Sequence, residues 1–142
     1  MFTAKDVMNL REMSGAGMMD CKKALTECNG DMDKAMDYLR EKSLAASAKK
    51  ASRIAAEGVV ASCIAEDGKV AAIVEMNCET DFVAKTDDFK ALVAQVAKLV
   101  VEKNPADVDA LMAIETGDGT VAELVTRAVA KIGEKITIRR FA

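Results

Sequence analysis

The chain has no histidine. That gap removes imidazole general bases, imidazole metal ligands and any triad built on one. Its four cysteines, Cys21, Cys28, Cys63 and Cys78, show no C-x-x-C spacing, so no zinc site is expected. They read as reduced thiols serving as small core residues in a cytoplasmic protein. Aromatics make up only 4% of the chain, whereas methionine occurs 9 times. The core is therefore expected to be aliphatic, with thioether side chains filling its gaps. No basic run exceeds two residues, as at Lys49–Lys50 and Arg139–Arg140, and the formal net charge is −3. A nucleic-acid surface needs clustered Lys and Arg to displace counterions, so direct contact with tRNA or ribosomal RNA is not expected. The sequence shows neither a secretory signal nor a span of about 20 apolar residues, so no membrane association is expected.

What is present is a chain of 142 residues, 51% of them hydrophobic. That is enough for one domain, or for a small module and a larger one. Thr3 suits a helix N-cap, with Asp6 favourable to the dipole three residues later. Val7, Leu10 and Met13 make the stripe of that first helix, which Gly15-Ala16-Gly17 breaks. A second helix is predicted from Met18 to Cys28, with Cys21, Ala24, Leu25 and Cys28 on one side. Asn29-Gly30 stops it, and Asp31 caps a third that presents Met32, Ala35, Met36 and Leu39. These helices predict a three-helix module over residues 1–42. The Ala-, Lys- and Ser-rich residues 43–56 read as a helical linker with a weak apolar face.

Residues 57–142 predict an α+β module. Gly58 to Asn77 reads as a hairpin around Asp67-Gly68, the preferred pair for a two-residue type I′ turn. That turn sets Cys63 opposite Ala72 and Val59 opposite Met76, with one face wholly apolar. A long helix follows from Asp87 or Asp88 to Asn104-Pro105, then a short helix or turn over 107–112. Thr120 and Glu123 form a capping box for a helix ending at Gly133. Ile136 to Phe141 alternates and is expected to complete a three-stranded antiparallel sheet with helices on one face.

Few residues suggest chemistry. Gly15-Ala16-Gly17 precedes a helix as a phosphate loop would, but it lacks the Walker spacing and the terminal lysine-serine; a tight turn is the plainer reading. Met18 and Met19 cannot both face one core line, so either one is exposed for adaptable contact or both tuck under the loop. The apolar run Val70–Met76 leads into a polar corner, where Phe82 follows Asp81 and precedes Lys85. A phenylalanine after a strand is more often core, yet an apolar anchor in a polar rim is the anatomy of an interaction hot spot. Cys78 could be a nucleophile only if some group activated its thiol, and no base is evident.

Three stretches resemble a known family. Leu10-Arg11-Glu12-Met13-Ser14-Gly15-Ala16-Gly17-Met18-Met19-Asp20-Cys21-Lys22-Lys23-Ala24-Leu25 is similar to the amino-terminal signature of elongation factor Ts. Asn77 to Lys85 resembles a second signature, and Lys131 to Arg140 a third, in the family's order. The resemblance implies a ubiquitin-associated-like module at residues 1–42. It also implies guanine-nucleotide exchange on the GTPase elongation factor Tu, promoting GDP release without catalysing a covalent reaction. By that resemblance, Arg11, Met18 and Met19 contact a helix of the GTPase. Phe82 wedges near its nucleotide site beside polar contacts from Asp81. Ile132 and Gly133 touch it at a helix end, although both serve equally well as a helix stop. Magnesium and nucleotide would belong to the partner, and no cofactor or small-molecule ligand is implied for this chain.

Most members of that family continue into a second related subdomain, whereas this chain stops at Phe141-Ala142. The resemblance therefore implies a fragment or a short form, with weaker binding and partial or lost exchange. A competing reading is an interaction module whose three helices bind a peptide or ubiquitin-like partner without driving exchange.

Overall fold

The computed structural model describes residues 2–142. Helix α1 (Ala4–Ser14) opens with a reciprocal cap: the Asp6 amide donates to Thr3 Oγ1, and the Thr3 amide donates to the Asp6 carboxylate at 2.7 Å. Two of the first turn's unpaired donors are thereby satisfied. Val7 and Leu10 are buried. Met13, expected on the same stripe, is exposed, and Ser14 is buried instead. Helix geometry sets this, because position 14 is seven residues from Val7 and four from Leu10 and so lies between them on the buried face, where the Ser14 hydroxyl is satisfied. It donates to the Leu10 carbonyl at 2.6 Å and accepts from the Ala16 amide at 3.2 Å.

Helix α2 (Met18–Glu27) buries Cys21, Ala24 and Leu25, with Cys28 half-buried. Asn29 and Gly30 both take positive φ and end it. Asp31 then caps α3 (Met32–Lys50), accepting from the Lys34 amide. The three helices enclose one cluster of Val7, Leu10, Cys21, Ala24, Leu25, Ala35 and Leu39. Helix α3 passes residue 43 unbroken, so the expected linker helix is its second half. Helical structure stops at Lys50, short of the expected 56. Residues 51–53 turn the chain away, and Lys135 Nζ donates to the carbonyls of Ala51 and Arg53 at 2.7 and 2.9 Å.

Strands β1 (Glu57–Ile64) and β2 (Ala71–Cys78) pair antiparallel, with Val59 opposite Met76 and Cys63 opposite Ala72 as predicted. The turn differs from its prediction. Among the described non-glycine residues only Asn29 and Asn104 take positive φ, so Asp67 does not, whereas Gly68 sits at φ 70°. A type I′ turn needs positive φ at both centres. Here the Ala65 carbonyl accepts from Gly68, and Ala65 pairs with Val70 across a four-residue loop. The Asp67 carboxylate accepts the Lys69 amide at 3.0 Å, which favours this wider loop. Both loops are centred on Asp67-Gly68, so the register is unchanged.

Helix α4 (Asp81–Ala84) is a single turn where the sequence predicts only a corner. Thr86 caps α5 (Asp87–Lys103), which ends in left-handed Asn104. Helix α6 (Val108–Met112) and a two-residue ladder, β3 (Glu115–Thr116) with β4 (Gly119–Thr120), lead to α7 (Val121–Ile132). The Thr120–Glu123 capping box is present. Strand β5 (Thr137–Phe141) pairs with β2, giving the sheet order β1-β2-β5. A bulge doubles Arg139 and Arg140 against Glu75, and both guanidiniums face its carboxylate, Arg140 at 2.6 Å. The apolar face of the sheet, with Ala72, Val74, Met76 and Cys78, packs against Phe89, Val93 and Val96 of α5 and Val121, Val125 and Val129 of α7. The architecture is α+β, with the helices on one face of an antiparallel sheet.

Candidate functional site

Strand β2 leaves the core at Cys78 and turns through Glu79 and Thr80 into α4. Thr80 is the N-cap: its Oγ1 accepts the Val83 amide at 3.4 Å. Helical spacing then buries Ala84 and turns Phe82 outward, where it is 80% exposed. Burying such a ring elsewhere stabilises by roughly 1.5–3 kcal/mol, so an exposed phenylalanine on an ordered turn invites a partner. Asp81 and Lys85 lie one turn apart and form an ion pair at 2.6 Å. Lys85 hydrogen-bonds the Asp81 carboxyl and holds it below the usual carboxylate range; the same pairing raises the ammonium. The aromatic ring therefore stands beside a charged pair, both members of which are ionised at neutral pH.

The corner is held from far along the chain. Glu134 accepts the Glu79 and Thr80 amides on one carboxylate oxygen, each at 3.0 Å, and the Thr80 hydroxyl on the other at 2.6 Å. In return the Glu79 carboxylate accepts the Lys135 amide at 2.6 Å and pairs with Arg53 at 3.3 Å. The Lys135 amide is the main reason that the Glu79 carboxyl lies below its ordinary range, with Arg53 second. Glu134 directly follows the predicted contact pair. Ile132, half-buried, ends α7, and Gly133 takes the left-handed conformation at φ 87° that stops it. Nothing lies within 4 Å of where a Cβ on Gly133 would be. Gly133 thus serves as the helix stop while leaving open space above its backbone.

The third group, Arg11, Met18 and Met19, is exposed where α1 gives way to α2, with Met19 75% accessible. Both methionines project, so neither is tucked fully beneath the loop. Gly15 to Gly17 makes the tight turn. Arg11 and Met18 share an open hollow of about 530 Å³ with Met8, Glu12 and Lys131. Lys131 lies on the last turn of α7, next to Ile132, and pairs with Asp88 at 2.9 Å. The predicted residues thus follow one another through neighbours: Arg11 and Met18, then Lys131, Ile132 and Gly133, then Glu134 and its grip on the Asp81–Phe82 turn. A separate groove of about 480 Å³ between α3 and α7, lined by Leu39, Leu44, Glu123 and Arg127 among others, contains none of them.

Sequence reasoning missed Met8, Glu79 and Glu134. Met8 lies three residues before Arg11, so helical spacing alone would have placed it on that face. Glu79 and Glu134 carry no local signal, because their partners lie 54 to 56 residues away. The Cys78 thiol is buried and donates to the Thr80 carbonyl at 3.2 Å. Burial, and then the charge of Glu134, push its pKa up, which keeps it a neutral thiol and a poor nucleophile. No helix among the described residues is long and apolar enough to cross a membrane.

Residues 79–142 match the family model described as "Elongation factor TS". The chain is 58% identical over 144 residues to an elongation factor Ts from Clostridium tetani, covering 99% of this chain and 47% of that protein. It is 57% identical over 142 residues to one from Clostridium perfringens, with the same coverage. It is 55% identical over 139 residues to one from Limosilactobacillus fermentum, covering 98% of this chain and 47% of that protein. The chain spans about half the length of the curated relatives it matches.

Proposed function

Because this chain belongs to the elongation factor Ts family, we propose that it acts as a guanine-nucleotide exchange factor on elongation factor Tu in the cytoplasm. Residues 1–42 and 57–142 would be two modules joined by 43–56. Their outer surfaces would meet the GTPase through Arg11, Met18, Met19, Asp81, Phe82, Ile132 and Gly133, near its nucleotide and magnesium site. The observation that carries this reading is Phe82, 80% exposed on a turn whose backbone is held by the Glu134 carboxylate.

Such a factor forms no covalent bond. It binds the empty GTPase more tightly than the nucleotide-bound form, and nucleotide affinity falls by the same factor. Speeding release by about 10⁴ requires lowering the barrier by about 5.5 kcal/mol, at about 1.4 kcal/mol per tenfold. One phenylalanine supplies roughly 1.5–3 kcal/mol, so several contacts must act at once. The run of exposed residues from Met18 past Lys131 to Phe82 supports that requirement, because it offers them on neighbouring elements.

The test uses elongation factor Tu loaded with fluorescent GDP and chased with unlabelled GDP. Adding this chain should accelerate release, and Phe82→Ala should abolish most of the acceleration. Binding without acceleration would instead favour a pure interaction module or a fragment that binds without exchanging, and the same assay on a full-length relative separates the two.

A further inference from the structure

We infer that Glu134 is the positioning residue for Phe82: it fixes the Asp81–Ala84 turn against the end of α7, so that the Phe82 and Ile132–Gly133 surfaces meet a partner as one rigid unit. The inference rests on the reading of Phe82 as a contact, and deepens it.

The geometry is specific to a carboxylate. Three donors converge on Glu134: two successive backbone amides at 3.0 Å and the Thr80 hydroxyl at 2.6 Å. An ionised carboxylate is purely an acceptor with two oxygens, which suits three incoming donors. The same hydroxyl caps α4 by accepting the Val83 amide. Glu134 therefore orients the cap oxygen on which that single turn depends. A one-turn helix has little stability of its own, so its conformation, and with it the direction of Phe82, must be imposed from outside.

The hold is reciprocal. Glu79, at the corner, accepts the Lys135 amide. Lys135 and Arg53 then tie both segments to the end of α3, Lys135 through the Ala51 and Arg53 carbonyls and Arg53 through Glu79. Because residues 133–135 follow α7 directly, the helix end carrying Ile132 and Gly133 cannot shift without moving the Phe82 turn.

A glutamine at position 134 keeps the shape and one acceptor oxygen but turns a donor toward the incoming amides or hydroxyl. Two measurements on Glu134→Gln and Glu134→Ala test the inference. The first is hydrogen exchange at the Glu79, Thr80 and Val83 amides of the chain alone, with core amides of α5 as the folding control. Exchange at those three should rise at least about tenfold, the factor expected for losing one charge-assisted bond, while α5 stays protected. Unchanged exchange would overturn the inference. The second is GDP release from the GTPase, combined with Phe82→Ala. Glu134→Gln should lower the maximal acceleration about tenfold, change the half-saturating concentration much less, and add almost nothing in the Phe82→Ala background. Full additivity, or an unchanged maximal rate despite faster amide exchange, would overturn the positioning role. If the unmodified chain binds but does not accelerate release, the kinetic measurement is made on a full-length relative with the matching substitutions, and the amide measurement decides by itself whether Glu134 holds the turn.

Discussion

The two ends of the proposed contact surface present apolar side chains by different means. At the amino-terminal end, Met18 and Met19 open a helix that follows a glycine turn, and the turn itself is set by local devices, with one longer tie from Lys42 of α3 to Asp20. The local devices are the Thr3–Asp6 cap, the Ser14 hydroxyl on the preceding carbonyl and the left-handed Gly15. At the other end Phe82 stands on one turn of helix, placed by Glu134, which lies 54 and 55 residues from the Thr80 and Glu79 amides it accepts. Local devices suit flexible thioethers, which adapt to what they touch. A rigid ring acts as a wedge only if its base is rigid too, and that requires fixed partners from elsewhere in the fold. A surface that must both accommodate a partner and displace something within it has use for both kinds.

Core truncation gives the largest effect. Phe89 and Leu25 are each fully buried, in separate clusters. Phe89→Ala should destabilise by about 3–5 kcal/mol and Leu25→Ala by about 2–5 kcal/mol, read by urea unfolding. If the regions are built as described, Leu25→Ala leaves the Glu79 and Thr80 amides protected from exchange while Phe89→Ala exposes them. Equal exposure in both variants would make the two regions a single cooperative unit and break the contrast.

Phe82→Ala comes next. With the ring already in solvent, unfolding should move by no more than about 0.5 kcal/mol. The acceleration of GDP release should fall roughly thirtyfold, which corresponds to about 2 kcal/mol of apolar burial missing from the complex. A large stability loss would mean that the ring serves its own fold. Met18→Ala and Met19→Ala should each lower the acceleration by about fivefold, while Met18→Leu costs little, since an adaptable contact tolerates a side chain of similar volume. A Met18→Leu defect as large as that of Met18→Ala would show that this end is as shape-specific as the other.

The smallest effect is acid sensitivity at the Phe82 end. The Glu79 carboxyl is held below its ordinary range by the Lys135 amide and then by Arg53. A group whose folded pKa is lowered adds stability above its unfolded value, about 4.3 for glutamate, and that contribution disappears as pH falls through the folded value. Protection of the Lys135 amide, corrected for intrinsic exchange, should thus be flat from pH 7 to about 5 and decline below about 4. Amides at the α1–α2 turn, which rest on hydroxyl and carbonyl partners, should show no such decline. Loss of Lys135 protection already near pH 6 would exclude Glu79 as its cause.

Much of this molecule is legible residue by residue. Thr3, Asp31 and Thr120 announce helix starts, and Asn29-Gly30, Asn104 and Gly133 announce helix ends, because capping depends on side chains within three or four positions. The hairpin register follows from alternation and from a loop centred on Asp67-Gly68, although the turn type does not. Asp67 could adopt either turn, and its bond to the Lys69 amide favours the wider one. Met13 departs from its expected burial because Ser14, not Met13, lies between Val7 and Leu10 on the helix, and its hydroxyl is satisfied there by the Leu10 carbonyl and the Ala16 amide.

The sequence alone determined where elements begin and end, which face of the hairpin is apolar, and the presence of a phenylalanine at a polar corner that resembles a family signature. It left open whether that ring points inward or outward, since both readings fit the same nine residues. Only the tertiary structure decided its direction, and only there do Glu134 and Glu79 reach across more than fifty residues to hold the corner. The physical reason is range: caps and periodicity act within a few positions of the chain, whereas the bonds that aim Phe82 exist only once α7 and β2 have packed together.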